Sequence, residues 1–111
     1  MEAKSTYSKL EENNFESKIL QGTSIPKVVV FNASWLGSGQ MMDEIIHDLA
    51  GLYDTKFEFF RVEADDNIDL LNMLGISDVP VIMVFKNGKV VSFESGMISD
   101  SRAREILQNA L

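Results

Sequence analysis

Few side chains in this sequence could carry covalent chemistry, and the most reactive type is absent. None of the 111 residues is a cysteine, which excludes disulfides, thiolate nucleophiles and every zinc site that needs sulfur. The single histidine, His47, cannot form a multi-histidine metal site, and Glu44 and Asp48 place it on the polar side of a predicted helix. We therefore expect His47 to be a solvated surface residue and not a general base.

Two other polar features are explained better by folding than by catalysis. Ser38 carries a hydroxyl, but no histidine or lysine lies beside it to act as a base, so we expect it to cap the helix that follows. An acidic cluster consists of Glu63, Asp65, Asp66 and Asp69. It lacks the glycine and the oxygen spacing of a calcium loop, and helix capping is the simpler explanation. The residues thus indicate no metal, no cofactor and no enzyme.

Length and charge narrow the class of protein. The 111 residues, of which 45% are hydrophobic and 24% charged, fit one domain over 1–111, with 1–12 as a flexible or edge-strand N-terminus. The net charge of −7 disfavours nucleic acid and membrane surfaces as partners. The polar N-terminal stretch and the short apolar run at 79–85 predict neither a signal peptide nor a membrane span, so we expect a cytoplasmic protein.

The N-terminal part predicts an edge strand at 6–10 followed by a helix. Asn13 or Asn14 is the expected cap of this helix, and Gly22 closes it. The apolar side of the helix consists of Phe15, Ile19 and Leu20.

The next segment predicts a strand, a long helix and a second, parallel strand. The run at 27–31 is continuous and β-branched, as in a strand buried on both faces, and 57–62 has the same character. Between them, the helix at 40–52 has apolar residues at spacings of three and four, namely Met41, Met42, Ile45, Ile46, Leu49 and Leu52. A helical crossover of this length implies parallel pairing with a right-handed connection.

The C-terminal part predicts a shorter helix, a hairpin and a last helix. The shorter helix starts at Asp65, Asp66 or Asn67 and is followed by Gly75. The dipeptide Asn87-Gly88 suits a tight turn between antiparallel strands at 81–86 and 89–93. The last helix starts at Ser99 or Asp100 and buries a stripe of Ala103, Ile106, Leu107 and Ala110.

Two segments in this order of elements resemble the thioredoxin family. Val28–Met42 is similar to the stretch that contains the family's Trp-Cys-Gly-Pro-Cys motif, and Gly75–Gly88 is similar to its cis-proline loop and hairpin. The resemblance covers about residues 15–111, with matches at Phe31, Ala33, Trp35, Gly37, Pro80, Phe85, Asn87, Gly88 and Gly96. It implies a thioredoxin fold: a central mixed sheet of four to five strands, with helices on both faces, in three α/β/α layers.

The departures from the family's pattern concern its chemistry. The degenerate active-site motif consists of Trp35, Leu36, Gly37, Ser38 and Gly39. Leu36 stands where the family has its nucleophilic cysteine and Gly39 where it has the resolving one, so no dithiol can form. Val30 aligns with the family's buried acid, whose desolvation cost has no purpose once no thiol needs a proton. Arg61, which aligns with a basic residue near that acid, is expected to reach Asp65 or solvent.

The features that remain indicate binding. The resemblance implies a cis Val79–Pro80 bond beside the Leu36 loop, where the backbone of Val79 could pair with an extended peptide. The expected contact patch consists of Trp35, Leu36, Val79, Pro80 and Ile98. Two simpler explanations stay open: Pro80 only ends a turn and starts a strand, and Trp35 only covers the core.

The sequence thus favours a redox-inactive binding or adaptor module whose partner is a protein or an extended peptide segment. One alternative is a component of cell redox homeostasis that acts with a cysteine-bearing partner. Another is a self-associating structural subunit, in which the former active-site face has become the interface of a homodimer.

Overall fold

The apolar runs of the sequence form the strands of one mixed sheet. The computed structural model describes residues 7–21 and 25–111. Its strands are β1 (Tyr7–Lys9), β2 (Lys27–Asn32), β3 (Glu58–Glu63), β4 (Val81–Lys86) and β5 (Lys89–Ser95). Its helices are α1 (Glu12–Phe15), α2 (Gly37–Leu52), α3 (Ile68–Met73) and α4 (Asp100–Asn109). A π-helical turn, Glu16–Leu20, continues α1, and a 3-10 turn, Ala64–Asp66, precedes α3.

The strands lie in the order β1-β3-β2-β4-β5, with β2 at the centre. The two crossover connections make β1, β3 and β2 parallel, whereas β4 is antiparallel to both β2 and β5. All six residues of β2 are buried, because helices cover both faces of the sheet at its centre. The predicted thioredoxin fold is confirmed, with five strands and four α-helices in the described part of the chain.

Each face of the sheet has its own hydrophobic core. Side chains alternate along β2, so Val28 and Val30 pack beneath α2 and α4, while Val29 and Phe31 pack against α1 and α3. We call these the α2/α4 core and the α1/α3 core. Among the described residues, no helix combines the length and the apolar character needed to span a bilayer.

Two glycines adopt the positive φ angles that the sequence predicts for them. Asn87 and Gly88 have φ of 54° and 77°, which close the tight turn between β4 and β5. Gly75 has a φ of 74° directly after the last turn of α3, where a left-handed residue ends many helices. Ser99 caps α4, because its hydroxyl accepts a hydrogen bond from the N–H of Arg102 at 3.1 Å.

The first helix differs from its prediction in its start and in its buried side. It is capped at Glu11, and Asn14 lies inside the first turn, where its side-chain oxygen accepts the N–H of Glu11 at 3.0 Å. Leu20 is 42% exposed, because the wider π-helical turn rotates it away from the core. The predicted helix end at Gly22 and the strand start at Thr6 lie outside the described residues.

The long helix α2 ends at Leu52 as predicted but differs from its prediction in its start and in its buried side. It begins at Gly37, before the predicted start at Gln40, with Leu36 in the capping position. Met41 and Leu52, which were assigned to the buried stripe, are exposed, because spacings of three and four slightly overestimate the width of the face that the sheet covers.

Candidate functional site

The loop between β2 and α2 carries the degenerate motif and is fastened to the end of β3. The N–H and the hydroxyl of Ser34 both donate hydrogen bonds to the carboxylate of Glu63, at 3.1 and 2.6 Å. Trp35 is 67% exposed, and its Nε1 donates to a carboxylate oxygen of Asp65 at 2.7 Å. Glu63 at the end of β3 and Asp65 just after it therefore orient this loop.

Beneath the loop, the side chain of Asn32 fills the space next to Gly39. Asn32 is fully buried; its Nδ2 donates to the carbonyl oxygen of Gly39 at 2.8 Å and its Oδ1 accepts the N–H of Ala33 at 2.8 Å. A Cβ atom at position 39 would lie 2.2 Å from the Asn32 Oδ1. Position 39 is therefore closed to any side chain unless Asn32 moves.

Ser38 and Leu36 do not take the roles that a cap or a nucleophile would require. Because α2 begins at Gly37, Ser38 lies inside the first turn and is exposed, so the prediction that it caps the helix is wrong. Leu36 is partly buried, and its apolar side chain makes no capping hydrogen bond. The start of this helix therefore lacks both a side-chain cap and a group that its partial positive charge could activate.

The loop before β4 supplies the second part of the site. The peptide bond between Val79 and Pro80 is cis. Pro80 is buried, and its carbonyl oxygen accepts the N–H of Gly96 at 2.8 Å, which fixes the start of β4 against the end of β5. Val79 is partly buried, and in residues 7–21 and 25–111 its backbone groups find no hydrogen-bonding partner.

The two loops border one open groove of about 480 Å³. It is lined by Trp35, Ala64, Asp65, Ile68, Leu71, Asn72, Ile76, Ser77, Asp78 and Val79. The structure therefore brings Trp35 and Val79, two residues of the predicted patch, to the same groove. Ile68, which the sequence analysis did not consider for the site, is 60% exposed on its border. The α3 helix thus contributes a third wall.

Ile98 does not belong to this surface. It is only 7% exposed and lies in the α2/α4 core, so its inclusion in the contact patch is wrong. The residue precedes Ser99, the cap of α4, and its side chain anchors the start of that helix in the core instead of facing solvent. The exposed apolar neighbour is Met97, which is 39% exposed.

Arg61 joins β3 to α2 and to the loop through two carboxylates. Its Nε donates to Asp43 at 3.0 Å and its Nη1 donates to Glu63 at 2.9 Å, so the expectation that it reaches Asp65 or solvent is wrong. The hydroxyl of Tyr7 donates to the same Asp43 at 2.8 Å. These contacts place Arg61 in a polar network at the edge of the site, on the side of β1.

The network shifts the pKa values of its members in different directions. Burial alone would raise the pKa of Glu63, but hydrogen bonds from the Ser34 hydroxyl, from Arg61 and from the Ser34 N–H outweigh it and lower that pKa. Burial would lower the pKa of Arg61, yet its bonds to Glu63 and Asp43 raise it. Burial, followed by the charge of Asp43, raises the pKa of Tyr7 well above its usual value.

The remaining polar candidates lie apart from the groove. His47 is exposed, and it borders a separate open groove with Tyr7, Asp43, Glu44, Asp48 and Arg61. Asn67, and not an aspartate, is the residue before α3, and its amide binds the N–H of Glu12 and the carbonyl oxygen of Glu63. In the described part of the chain, no three carboxylate or imidazole groups converge as metal ligands.

Asn32 is the functional residue that the sequence reasoning missed. It is a polar residue at the end of the central strand, directly after four apolar residues, and asparagine is depleted in strands. That position was the available signal, because a buried asparagine must satisfy its amide, and the nearest unpaired groups are those of the turn that follows.

The five-stranded sheet, the loop at the start of α2 and the cis-proline loop beside it together define a thioredoxin-type α/β domain without the dithiol. Residues 6–110 match the thioredoxin family model, so the chain belongs to the thioredoxin family. A thioredoxin of Staphylococcus epidermidis is 30% identical over 103 residues, which are 93% of this chain and 96% of that protein.

Other relatives cover the chain to a similar extent. Thioredoxin 1 of Nostoc sp. is 25% identical over 107 residues, which are 96% of this chain and 99% of that protein. Thioredoxin 2 of Chlorobaculum tepidum is 32% identical over 85 residues, 77% of each chain. Unlike what the family's motif requires, this chain has no cysteine. Its own residues therefore cannot exchange electrons through a thiol.

Proposed function

We propose that this chain is a redox-inactive binding module that holds an extended segment of another protein in the groove between Trp35 and Val79. The observation that carries the proposal is the backbone of Val79, which has a donor and an acceptor unused by the described residues and borders a groove lined by both apolar and acidic side chains. A segment that adds there as a strand would gain affinity from these backbone groups and selectivity from the groove.

The lining of the groove indicates the chemistry of that segment. Leu71 and Ile76 form a buried apolar floor, and Ile68 offers an exposed apolar border. Asp65 and Asp78 bring negative charge to the same groove, in a chain whose net charge is −7. We therefore propose a segment in which an apolar side chain is flanked by lysine or arginine.

The filled interior supports a function that depends on contact and not on chemistry in the loop. Asn32 occupies the space at Gly39, and Val30 is fully buried in the α2/α4 core. Position 39 therefore has no free space for a second reactive group, and an acid at position 30 would have to be desolvated in an apolar core. The largest side chain that the loop presents to solvent is the indole of Trp35.

Capture from a native lysate with matched variants tests the proposal. The immobilised wild-type chain is compared with Val79→Asp and with Leu52→Asp, a control at an apolar residue that is 65% exposed at the far end of α2. We expect wild type and Leu52→Asp to retain the same proteins. Val79→Asp should retain them at least about tenfold less well, because the new carboxylate would be desolvated without a partner. Equal capture by all three chains would overturn the proposal.

The fluorescence of Trp35 gives a direct second measurement, because it is the single tryptophan of the chain. A synthetic peptide from the captured protein should shift its emission to shorter wavelength as the indole leaves water. The same peptide with its lysines and arginines changed to glutamate is the control and should bind at least about tenfold more weakly. Equal affinity would contradict the proposed role of Asp65 and Asp78.

A disulfide-reduction assay separates this proposal from the alternative of a redox component. We expect the isolated chain to show no turnover above buffer, because no thiol is present to form a mixed disulfide. Turnover would contradict the proposal. The roles with a cysteine-bearing partner and as a dimer through the loop face stay predictions, as does the cytoplasmic location.

A further inference from the structure

The strand β5 forms one edge of the sheet and exposes apolar side chains along it. Among the described residues, it pairs with β4 alone. Val90, Val91 and Phe93 are 50%, 51% and 48% exposed. The strand is seven residues long and contains no proline, so it lacks two of the devices that keep sheet edges from pairing with another chain, while it has two others, an edge lysine and a β-bulge. Its outer backbone groups can therefore accept a further strand.

A β-bulge determines the direction of the side chains along β5. Val90 lies opposite Phe85 and Ser92 lies opposite Val84, which leaves Val91 as the additional residue. Val91 and Ser92 both line a small pocket against α4, so both face the α2/α4 side of the sheet.

The residues on either side of the bulge divide into two faces. Cross-strand neighbours share a face, so Val90 and Phe93, opposite Phe85 and Met83, lie on the α1/α3 side. They form an exposed apolar pair.

Two charged residues lie on the other face. Glu94 is opposite Ile82 of the α2/α4 core. Lys89 is opposite Lys86, whose amine reaches the carbonyl oxygen of Ala110 on the same side. Because of the bulge, Lys89 and Glu94 face the same way although five positions separate them.

We propose that β5 pairs with β5 of a second copy of this chain, antiparallel and about a two-fold axis. In this register, Lys89 lies opposite Glu94 of the second copy, and Val90 lies opposite Phe93 of the second copy. Each charged pair and each apolar pair therefore occurs twice, once at each end of the paired strands. The two sheets form one continuous sheet of ten strands, twice the five of a single copy.

The side-chain directions select this register among its neighbours. A shift by one residue pairs Val90 with Glu94 of the second copy, and these two side chains point to opposite faces. A shift by two residues places Val90 opposite Val91 of the second copy, or, in the other direction, Ser92 opposite Phe93. In both cases the two opposed side chains point to opposite faces of the sheet. The register with Lys89 opposite Glu94 is the one in which every pair shares a face.

The contacts of the free edge also favour a second copy as the occupant. Lys89 is exposed and forms no ion pair with the described residues, whereas Glu94 is held by Arg102 at 2.8 and 3.0 Å and is thereby positioned. The open pocket beside β5 is lined by Val91 and Ile106. It lies beside the place that Val91 of the second copy would take, and Lys89 and Glu94 supply opposite charges at each end.

The oligomeric state and its response to substitution test the proposal. Sedimentation velocity over a concentration series compares wild type with Val90→Asp and with the control Leu52→Asp, which adds the same charge at another exposed apolar residue. We expect a dimer for wild type and Leu52→Asp, and at least about a tenfold higher dissociation constant for Val90→Asp, since the axis places the new charge in the interface twice. A monomeric wild type, or a dimer insensitive to Val90→Asp, would overturn the proposal.

Single cysteines report the register without background, because the chain has none of its own. Mixed copies of Val90→Cys and Phe93→Cys should form the mixed disulfide at least about tenfold faster than either variant forms its own, because directly opposed residues have the short Cβ separation that a disulfide needs. Two copies of the same position would lie ~10 Å apart along the strands. Disulfides between identical variants at an equal or higher rate would overturn the proposal.

Discussion

The inner and the outer side of the loop between β2 and α2 differ in how much change they permit. On the inner side, Asn32 is fully buried, and both ends of its amide are engaged against Ala33 and Gly39. On the outer side, Trp35 is largely exposed and Val79 keeps unused backbone groups within the described chain. The same loop therefore has a closed interior and an open exterior.

This difference shows how a fold can lose its reaction and keep its surface. The interior of a protein is close-packed, so a position without its reactive side chain is filled by a neighbour, here the amide of Asn32. The exterior has no such constraint, and the groove between Trp35 and Val79 persists. Binding and chemistry can thus separate within a few residues of chain.

The largest expected change in the free energy of unfolding comes from a substitution that disrupts the closed interior of the loop. Gly39→Ala places a Cβ 2.2 Å from the Asn32 Oδ1. The amide must then leave its partners, and we expect a loss of about 2–4 kcal/mol in the free energy of unfolding, because two buried groups become unsatisfied. Urea unfolding followed by circular dichroism measures it.

Gly51→Ala is the matched control for this substitution. It lies in the same helix, with no atom within 4 Å of the new Cβ, and we expect it to stabilise the chain by up to ~1 kcal/mol. Equal stabilities for the two variants would show that the interior is not closed.

A smaller effect is expected where the network fastens the loop to β3. Glu63→Gln weakens the charge-assisted bonds to Ser34 and Arg61, and we expect a loss of about 1–2 kcal/mol at neutral pH. The pKa of Glu63 is lowered on folding, so its contribution is complete above the usual pKa of a glutamate and is lost as the pH falls through the folded value.

The difference between wild type and Glu63→Gln should therefore shrink on acidification, as measured by urea unfolding at a series of pH values. Glu44→Gln serves as the control, because the carboxylate of Glu44 is exposed and has no partner among the described residues. A difference that stays constant with pH would exclude an ionised Glu63 as the fastening group.

The smallest effect is expected on the open exterior. Trp35→Phe removes the hydrogen bond to Asp65 but buries nothing new, and we expect less than ~1 kcal/mol of change in the free energy of unfolding. Circular dichroism is the suitable signal, since the variant has no tryptophan. A loss as large as that of Gly39→Ala would show that Trp35 covers the core, which is the simpler explanation of this residue.

The sequence predicted the fold because its signals are local. A few neighbouring residues are enough to predict the geometry of each of three features: the β-branched run of β2, the turn at Asn87-Gly88 and the glycine after α3. The limits of helices were less predictable. At α2, for example, the helix extends back to Gly37 although neither Gly37 nor Leu36 is a favourable start.

The site was predictable only in part, because its contacts join distant positions. Trp35 and Val79 could be placed together through the family resemblance. The hydrogen bonds from Ser34 to Glu63 and from Trp35 to Asp65 join residues about 30 positions apart, so no local sequence pattern predicts them. Ile98 shows the same limit, since the burial of a residue before a helix depends on how that helix packs and not on its own neighbours in sequence.

The amide that fills the space at Gly39 also makes this chain's history hard to reverse. A cysteine that reappeared there alone would arrive in a weakened protein and would still lack a second thiol at position 36. Asn32, Leu36 and Gly39 would all have to be replaced before a dithiol could form. Substitutions on the exposed side of the loop, at Trp35 for example, are therefore accommodated far more easily than a pair of cysteines at positions 36 and 39.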